Sequence, residues 1–311
     1  MGFQPAVPDK AAFHPSAHRL RYGPVVYQLR TPASKLTRYI ENYWFAAPAP
    51  GEPFDLRVDV FVDGRADLIF NFGAPYRREV VGGEAVEHSQ SNLDAQRLVP
   101  IRITQRGAIR TTGVRFRLGG VAPFAAVPLG EVTGQTPAPS VVFGPDAADL
   151  ERELATTTDV DQAAQLLDAF FVQRMSTDPT ADVFHRALEL QVDSDGRINV
   201  EELADQLAVS PRHLERLFFR YLGIPPKTVA RILRFQCALR ALMKDPGCSL
   251  AQVATDLGYF DQAHFIKDFK RMSGGVPRGY RGYFPPEGPA DFAPNVVVFL
   301  QDGIEGTPDD A

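Results

Sequence analysis

Cysteine is scarce in this chain, and long apolar runs are absent. Only Cys237 and Cys248 occur among 311 residues, so residues 1–236 contain no cysteine. This scarcity excludes a disulfide-stapled scaffold. No apolar run approaches the ~20 residues that a membrane-spanning helix needs, and Met1–His18 lacks the apolar segment of a signal peptide. The sequence therefore predicts a cytoplasmic protein without a membrane segment.

A strong positive charge is also missing, although basic residues are unevenly distributed. The formal net charge is −5. Residues 182–285 hold 15 Lys and Arg against 12 Asp and Glu, whereas residues 286–311 hold six acidic residues and no basic one. A mildly basic segment therefore lies between acidic flanks. Because its excess of positive charge is small, charge alone does not predict binding to nucleic acid.

The patterns of metal sites and of common catalytic sites are missing as well. His88 is the only histidine of residues 30–120, and no His-x-His occurs, so we expect no metal ion. His14 and His18 are four residues apart and are interpreted as an unstructured surface pair. No Gly-x-Ser-x-Gly, P-loop or His-Glu-x-x-His motif is present. We therefore expect neither a cofactor nor an enzymatic activity.

Residues 30–120 carry the period-two alternation of β-strands. Apolar residues alternate through Leu56–Val62 and again through Ala66–Phe72, and Asp63-Gly64 between them is a hairpin turn signal. Further alternation follows at Ile101–Ile103 and Val114–Leu118. These runs predict a sheet folded on itself, as an antiparallel barrel or a sandwich.

Charged residues within these predicted strands have two interpretations. Asp63 and Asp67 are interpreted as a turn residue and a solvated strand position rather than as paired carboxylates. Arg110, Arg115 and Arg117 are interpreted as a charged outer face of the sheet rather than as an anion pocket inside a barrel.

Helical periods begin near residue 146, and they divide the rest of the chain. Ala147–Ala155 and Val160–Met175 are predicted helices, and Ser176–Thr180 is a predicted linker. The predicted fold class is α+β with several domains. Its parts are a β-rich domain in residues 1–145, a helical connector and linker in 146–181, an all-α module in 182–285, and a tail in 286–311 with a strand at Val296–Leu300.

The all-α module repeats one pattern about 50 residues apart. The first copy has apolar residues at Val200, Leu203, Ala204 and Leu207. The second copy has apolar residues with the same spacing at Leu250, Val253, Ala254 and Leu257. Each run has a predicted capping box at its start, Asn199 with Glu202 and Ser249 with Gln252. Each is followed by a capped second helix that begins after Ser210 or Asp261, and the second turn is one residue longer. This is the pattern of two helix-turn-helix units, with one long helix, about Lys227–Met243, between them.

The second helix of such a unit enters the major groove of DNA and reads base edges near its N-terminus. Arg pairs with guanine, Glu accepts from cytosine, Gln suits adenine, and apolar side chains contact the thymine methyl group. Two units held apart by a stiff helix can read adjacent major grooves, which recur every ~34 Å along the duplex. The residues predicted to face outward on these helices are Arg212, Glu215, Arg216, Arg220, Gln262, Ala263, Ile266, Lys267 and Lys270.

These motifs resemble the AraC/XylS family of bacterial transcription regulators. The resemblance is carried by residues 203–218 (LADQLAVSPRHLERLF), residues 253–271 (VATDLGYFDQAHFIKDFKR) and the closing segment 275–281 (GVPRGYR). It implies base-reading positions at Arg212, Glu215, Arg216, Gln262, Ala263, Ile266 and Lys267. The side chains of Ala263 and Ile266 cannot form hydrogen bonds with bases. The second unit is therefore expected to contribute more through phosphate contacts than through reading of the sequence. The resemblance also implies a cupin-like barrel for the N-terminal domain, and residues 63–71 resemble part of an uncharacterised N-terminal domain of such regulators.

The leading hypothesis is therefore a sequence-specific regulator that binds double-stranded promoter DNA. Its N-terminal domain would bind a small-molecule effector or form a homodimer, and RNA polymerase is a further expected partner. One alternative is an enzyme fused to the same DNA-binding module, although the lack of cysteine in residues 1–236 argues against alkyl-transfer repair chemistry. The other alternative is an N-terminal dimerisation platform without a ligand.

Overall fold

The structure is a computed structural model that describes residues 19–22, 25–48, 55–81, 83–88, 90–176, 178, 180–245, 247–281 and 296–298. Its strands are β1 (Arg19–Tyr22), β2 (Val25–Arg30), β3 (Ile40–Pro48), β4 (Asp55–Val60), β5 (Asp67–Asn71), β6 (Tyr76–Val80), β7 (Ala85–His88), β8 (Asn92–Asp94), β9 (Ile101–Arg106), β10 (Thr111–Phe116) and β11 (Val296–Val298). Its helices are α1 (Pro139–Phe143), α2 (Ala147–Thr156), α3 (Val160–Arg174), α4 (Ala181–Asp193), α5 (Val200–Gln206), α6 (Pro211–Tyr221), α7 (Pro226–Lys244), α8 (Leu250–Asp256) and α9 (Gln262–Ser273). None of these described helices combines the length and apolar character that spanning a membrane requires.

The strands form two antiparallel sheets. One has the order β1-β2-β3-β10-β5-β8, and the other has the order β11-β4-β9-β6-β7. The prediction of a β-rich N-terminal part and an all-α C-terminal part is confirmed. Among the described strand pairs none joins one sheet to the other, so the strands form two sheets and not a closed barrel. The tail returns to the second sheet, where β11 pairs with β4 over three residues. The other residues of the predicted tail lie outside the described residues.

The turn at Asp63-Gly64 is not a hairpin turn, and that prediction was wrong. It connects β4 of one sheet to β5 of the other, so the strands on either side of it do not pair. Gly64 does take a left-handed conformation (φ +69°), as a tight turn requires. Phe61 and Val62 leave the sheet after β4 and are buried elsewhere. We call residues 61–65 the crossing loop.

One face of the six-stranded sheet packs on helices and forms an apolar core. Strand residues on this face meet the aromatic rings of the helices, with Phe116 and Phe171 edge to face at 5.5 Å between centroids. Burying such rings removes large apolar areas from water and stabilises the layer. The buried residues of this core include Leu68, Phe70, Val114, Phe116, Phe143, Leu150, Leu167 and Phe171.

A row of charges crosses the opposite face of the same sheet. Arg115 on β10 pairs in register with Asp67 on β5, which pairs with Asp94 on β8. The Arg115 guanidinium donates to both Asp67 oxygens (3.1 and 2.9 Å) and to Asp63 (2.6 Å). Arg97 donates to Asp94 (2.9 Å) and to Asp63 (3.4 Å). These five residues, all buried, are called the buried ion cluster.

The sequence interpretation of Asp67 as a solvated strand position and of Arg115 as part of a charged outer face was therefore wrong, whereas Asp63 does lie in a turn. Alternation with period two shows which residues share a face, but it does not show that a second layer covers that face. Arg110 and Arg117, which the same interpretation included, bind backbone carbonyl groups instead of buried carboxylates. Arg110 donates to the last carbonyl groups of α2, and the Arg117 Nε donates to the Thr37 carbonyl oxygen (2.8 Å) at an exposed position.

Within the buried ion cluster, neighbouring opposite charges favour the ionised forms of Asp63 and Arg97. Burial opposes ionisation of Asp63, but the charges of Arg115, Arg97 and Arg65 outweigh it and hold the pKa of Asp63 below its usual value. Burial likewise opposes the charge on Arg97, and the neighbouring carboxylates hold its pKa above the usual value. Stability from Asp63 is therefore present above its unfolded-state pKa and is lost as pH falls through the lower folded-state value.

The crossing loop also belongs to the core of the helical module. Phe61 and Val62 are part of the buried cluster formed by α4–α9. The Gln236 side chain on α7 donates to the Val62 carbonyl oxygen (2.5 Å), and the Val62 amide donates to the Met272 carbonyl oxygen on α9 (3.3 Å). Phe61 contacts Tyr280 edge to face (5.3 Å). One short segment thus links the buried ion cluster to two helices of the module.

We predict that Arg115→Met destabilises the β-rich part by about 3–5 kcal/mol, because it removes the arginine that binds Asp63 and Asp67 most closely and leaves only the longer contacts of Arg97 to compensate the two buried charges. The deficit should shrink as pH falls, since Arg115 is the main charge that lowers the pKa of Asp63 and without it Asp63 is protonated at a higher pH. Trp44, the only tryptophan, lies on β3 beside β10 and reports this unfolding in urea. Arg117→Met is the matched control and should cost under about 1 kcal/mol. Equal losses in the two variants would contradict the prediction.

Candidate nucleic-acid interface

The first helix-turn-helix unit consists of α5 and α6, and local capping fixes its ends. Asn199 accepts from the Glu202 amide and the Glu202 side chain accepts from the Asn199 amide, so the predicted capping box is present. Ser210 accepts from the His213 amide (3.2 Å) at the start of α6, with Pro211 as the first helical residue. The inward side chains of α6, Leu214, Leu217, Phe218 and Tyr221, are all buried.

The second unit consists of α8 and α9 and has the same plan. Asp261 accepts from the His264 amide (2.7 Å) and begins α9. The turn between the helices is one residue longer than in the first unit, as predicted. The predicted capping box at Ser249 forms only in part, since Ser249 accepts from the Gln252 amide (3.4 Å) while the Gln252 side chain donates to Asp256 (2.7 Å). The carboxylate one turn further on provides a charge-assisted acceptor for Gln252.

A single core holds both units and fixes them to the long helix α7. Residues of α4, α5, α6, α7, α8 and α9 share one buried apolar cluster. Arg231 on α7 binds the buried carboxylate of Asp268 on α9 through two hydrogen bonds, Nε to Oδ2 (3.0 Å) and Nη2 to Oδ1 (2.6 Å). A bidentate pair of this kind fixes orientation as well as distance. The spacer and the second reading helix are therefore rigidly joined.

The predicted contact residues of α6 lie on its outward face. Arg212, Glu215, Arg216 and Arg220 are all exposed. The Arg216 guanidinium lies 2.8 Å from the His213 Nδ1 atom, which steadies it one turn from the helix start. Arg220 is already engaged, since its Nη2 donates to Asp178 (3.2 Å) and its guanidinium lies over the Tyr221 ring.

The predicted contact residues of α9 are exposed with one exception. Gln262, Ala263, Lys267 and Lys270 face solvent. Ile266 is half-buried and packs against the core of the module, so its predicted outward position is only partly correct. It follows Phe265 directly and lies at the border of the apolar stripe formed by Phe265, Phe269 and Met272.

Two contacts of α6 with residues before the helical module escaped the sequence interpretation. The Phe219 ring, although apolar and half-exposed, packs on Gly130, where a Cβ atom would lie 2.3 Å from the ring. Asp178 in the predicted linker accepts from the Tyr221 hydroxyl (2.7 Å) as well as from Arg220. The hydrogen bonds from Tyr221 and Thr180 lower the pKa of Asp178 to about 2. An apolar residue among the outward positions of α6 was the signal that a second surface covers part of this helix.

Comparison with known proteins agrees with this geometry. Residues 203–283 match the family profile described as a helix-turn-helix domain. The uncharacterized HTH-type transcriptional regulator YidL of Escherichia coli (strain K12) is 40% identical over 81 residues, 26% of this chain and 27% of YidL. The XylDLEGF operon transcriptional activator 1 of Pseudomonas putida is 32% identical over 83 residues, 26% of this chain and 25% of that protein.

The C-terminal module is an AraC-type helix-turn-helix domain. The chain spans about a quarter of the length of the curated relatives it matches. Residues 28–138 match a domain of unknown function (DUF6597). Among solved structures, ToxT from Vibrio cholerae has 13% identity and a TM-score of 0.41 over 74% of this chain and 97% of its own. A transcriptional regulator with an AraC-type DNA-binding domain from Chromobacterium violaceum has 28% identity and a TM-score of 0.30, over 32% and 89%.

We predict that Asp178→Asn strengthens DNA binding by about two- to fivefold, because it removes the negative charge that holds Arg220 and leaves Arg220 available to a phosphate. The dependence of affinity on salt should become steeper. Fluorescence anisotropy with labelled duplex DNA over a salt series measures both quantities. Asp146→Asn is the control, since Asp146 pairs with Arg174 away from the reading helices. Unchanged affinity in Asp178→Asn would show that Arg220 makes no contact with DNA.

Proposed function

We propose that this protein is a sequence-specific DNA-binding transcription regulator, as its AraC-type module and its relatives suggest. The observation that carries the proposal is the exposure of both reading faces on one shared core. Arg212 and Arg216 on α6 and Gln262 on α9 remain at the surface, while the inward stripes of the two helices are buried. Promoter DNA would be the partner, RNA polymerase would be engaged there, and the protein would act in the bacterial cytoplasm.

The two units differ in the chemistry they offer to DNA. We propose that Arg212, Glu215 and Arg216 read base edges in one major groove, where Arg suits guanine and Glu suits cytosine. Gln262 would read adenine in the next groove, and Ala263 with the exposed part of Ile266 would contact a thymine methyl group. Lys267 and Lys270, and Arg220 once released from Asp178, would contact phosphates. Direct readout would therefore depend more on the first unit than on the second.

The test begins with selection of a preferred duplex from a random DNA pool by the full chain. We predict that Arg216→Ala weakens binding to this duplex by about 1–3 kcal/mol and relaxes the preference at one base position. Lys270→Ala should instead weaken binding to all duplexes about equally. Arg152→Ala, an exposed change on α2, is the control. If the full chain shows no salt-sensitive, sequence-selective binding in a gel-shift assay, the proposal fails.

We further propose that the β-rich part senses a small molecule, forms a dimer, or does both. Its position supports a regulatory role, since the crossing loop connects its buried ion cluster directly to α7 and α9. We propose residues 1–145, 146–181, 182–285 and 286–311 as the working division of the chain. Because Phe61 and Val62 lie in the core of the module, experiments on this part should keep the chain whole. Neither a cofactor nor catalysis is part of the proposal.

Thermal unfolding of the full chain with a panel of metabolites tests the sensing role. A specific effector at 100 times its Kd should stabilise the folded state by about 2.7 kcal/mol. It should therefore raise the midpoint temperature of the unfolding transition that Trp44 fluorescence reports. Sedimentation velocity on the same samples measures the oligomeric state. A concentration-dependent dimer that no compound stabilises would assign the β-rich part to assembly alone.

A further inference from the structure

A surface groove of about 370 Å³ lies beside the start of the second reading helix. Its walls are the segment before α8, the first two residues of α8, the first residue of α9, and the closing 3-10 turn Pro277–Tyr280 with the residue that follows it. Among the residues that line it are Cys248, Ser249, Gln262, Arg278 and Arg281. Two positively charged side chains thus face an open groove that shares Gln262 with the proposed reading face of α9.

The two arginines are held by different means. Arg281 Nη2 donates to the Cys248 carbonyl oxygen (2.7 Å) and ties the closing turn to the segment before α8. Arg278 is exposed and forms no ion pair with any residue in the described part of the chain. The turn between them is rigid, since the Tyr280 hydroxyl donates to the Ser273 carbonyl oxygen (3.2 Å) and its ring packs on Phe269 (5.4 Å). The charge of Arg278 is therefore presented from a fixed position and remains available.

The acidic residues that neighbour the groove in sequence accept hydrogen bonds from backbone amides. Asp245 accepts from the Gly247 amide (2.9 Å), and Asp261 accepts from the His264 amide (2.7 Å). Each carboxylate thus serves a local turn or a helix start. An anion entering the groove would meet the guanidinium groups of Arg278 and Arg281 together with the Gln262 amide. Guanidinium groups match the geometry of phosphate oxygens.

We infer that this groove binds a backbone phosphate of the DNA strand that borders the major groove entered by α9. The inference rests on the proposed function and deepens it. A helix that reads base edges is flanked by phosphates of the same groove, and phosphate contacts set its position without reading sequence. Gln262 joins the groove to the reading face, so a phosphate held there would fix the depth and angle of α9. The contact adds to the second unit the positioning that Ala263 and Ile266 cannot supply.

The experiment compares Arg278→Gln with wild type on the selected duplex by fluorescence anisotropy between 50 and 200 mM salt, roughly the range over which phosphate contacts dominate. Arg278→Gln should lose about five- to tenfold in affinity at about 0.1 M salt and lower the slope of log K against log salt by about one. The loss should be equal for unrelated duplexes. Arg278→Lys should retain the slope, and Arg152→Gln on α2 should match wild type in all three measurements.

A scan of neutral methylphosphonate substitutions identifies the phosphate. One backbone position should weaken binding of wild type and leave Arg278→Gln unaffected. An Arg278→Gln protein that melts like wild type and keeps its affinity and salt slope overturns the inference, while DNA binding by wild type preserves the proposed function. Stabilisation of wild type by inorganic phosphate, with DNA affinity unchanged in Arg278→Gln, would assign the groove to a free anion and also overturn it. Absence of DNA binding by wild type overturns both.

Discussion

Asp63 joins the charged interior of the β-rich part to helices α7 and α9 of the C-terminal module. Its carboxylate is held by Arg115 (2.6 Å) and by Arg97 (3.4 Å) within the buried ion cluster. The preceding residue, Val62, exchanges hydrogen bonds with α7 and α9. Buried ion pairs tolerate little displacement, because a carboxylate that leaves its partner remains desolvated without compensation. The position of the crossing loop is therefore strictly limited, and so is the position of the two helices it contacts.

The two reading helices are connected to the rest of the molecule in different ways. The ion pair between Arg231 and Asp268 holds α9 to α7. In the last turn of α9, the Met272 carbonyl oxygen accepts a hydrogen bond from the Val62 amide. α6 instead contacts residues before the module along its own outward side, Gly130 through Phe219 and the linker residue Asp178 through Arg220. A change at the crossing loop would thus act on α9 from behind, whereas a change near Gly130 would act beside the reading face of α6. Both units share one buried core, so neither helix is packed independently of the other.

Local signals in the sequence predicted the helical module well, and non-local contacts account for what they missed. Caps at Asn199, Ser210 and Asp261, and a spacer observed at Pro226–Lys244, follow from interactions within a few residues of each other. The side chain of Gln252 was misassigned because its amide group can either accept from the Ser249 backbone amide or donate to the Asp256 carboxylate, and it does the second. The burial of Asp63, Asp67 and Arg115 could not be predicted, because it depends on a crossing between two sheets. Nor does any local pattern indicate that Val62 joins a core formed some 175 residues later, as its bond to Gln236 shows.

The two faces of the six-stranded sheet have different physical roles. Its apolar face packs on α1, α2 and α3, and most hydrophobic stabilisation of the β-rich part comes from there. The charged face gains less, because desolvation offsets much of the attraction between buried ions. Apolar residues of similar volume would often stabilise such a site equally well, so net stability does not explain the charges. Directional bonding does explain them, because the two oxygens of Asp63 bind different guanidinium groups, Oδ2 that of Arg115 and Oδ1 that of Arg97, and this limits the position of the crossing loop. The charged face therefore contributes orientation, and the helices of the module receive that orientation through Val62.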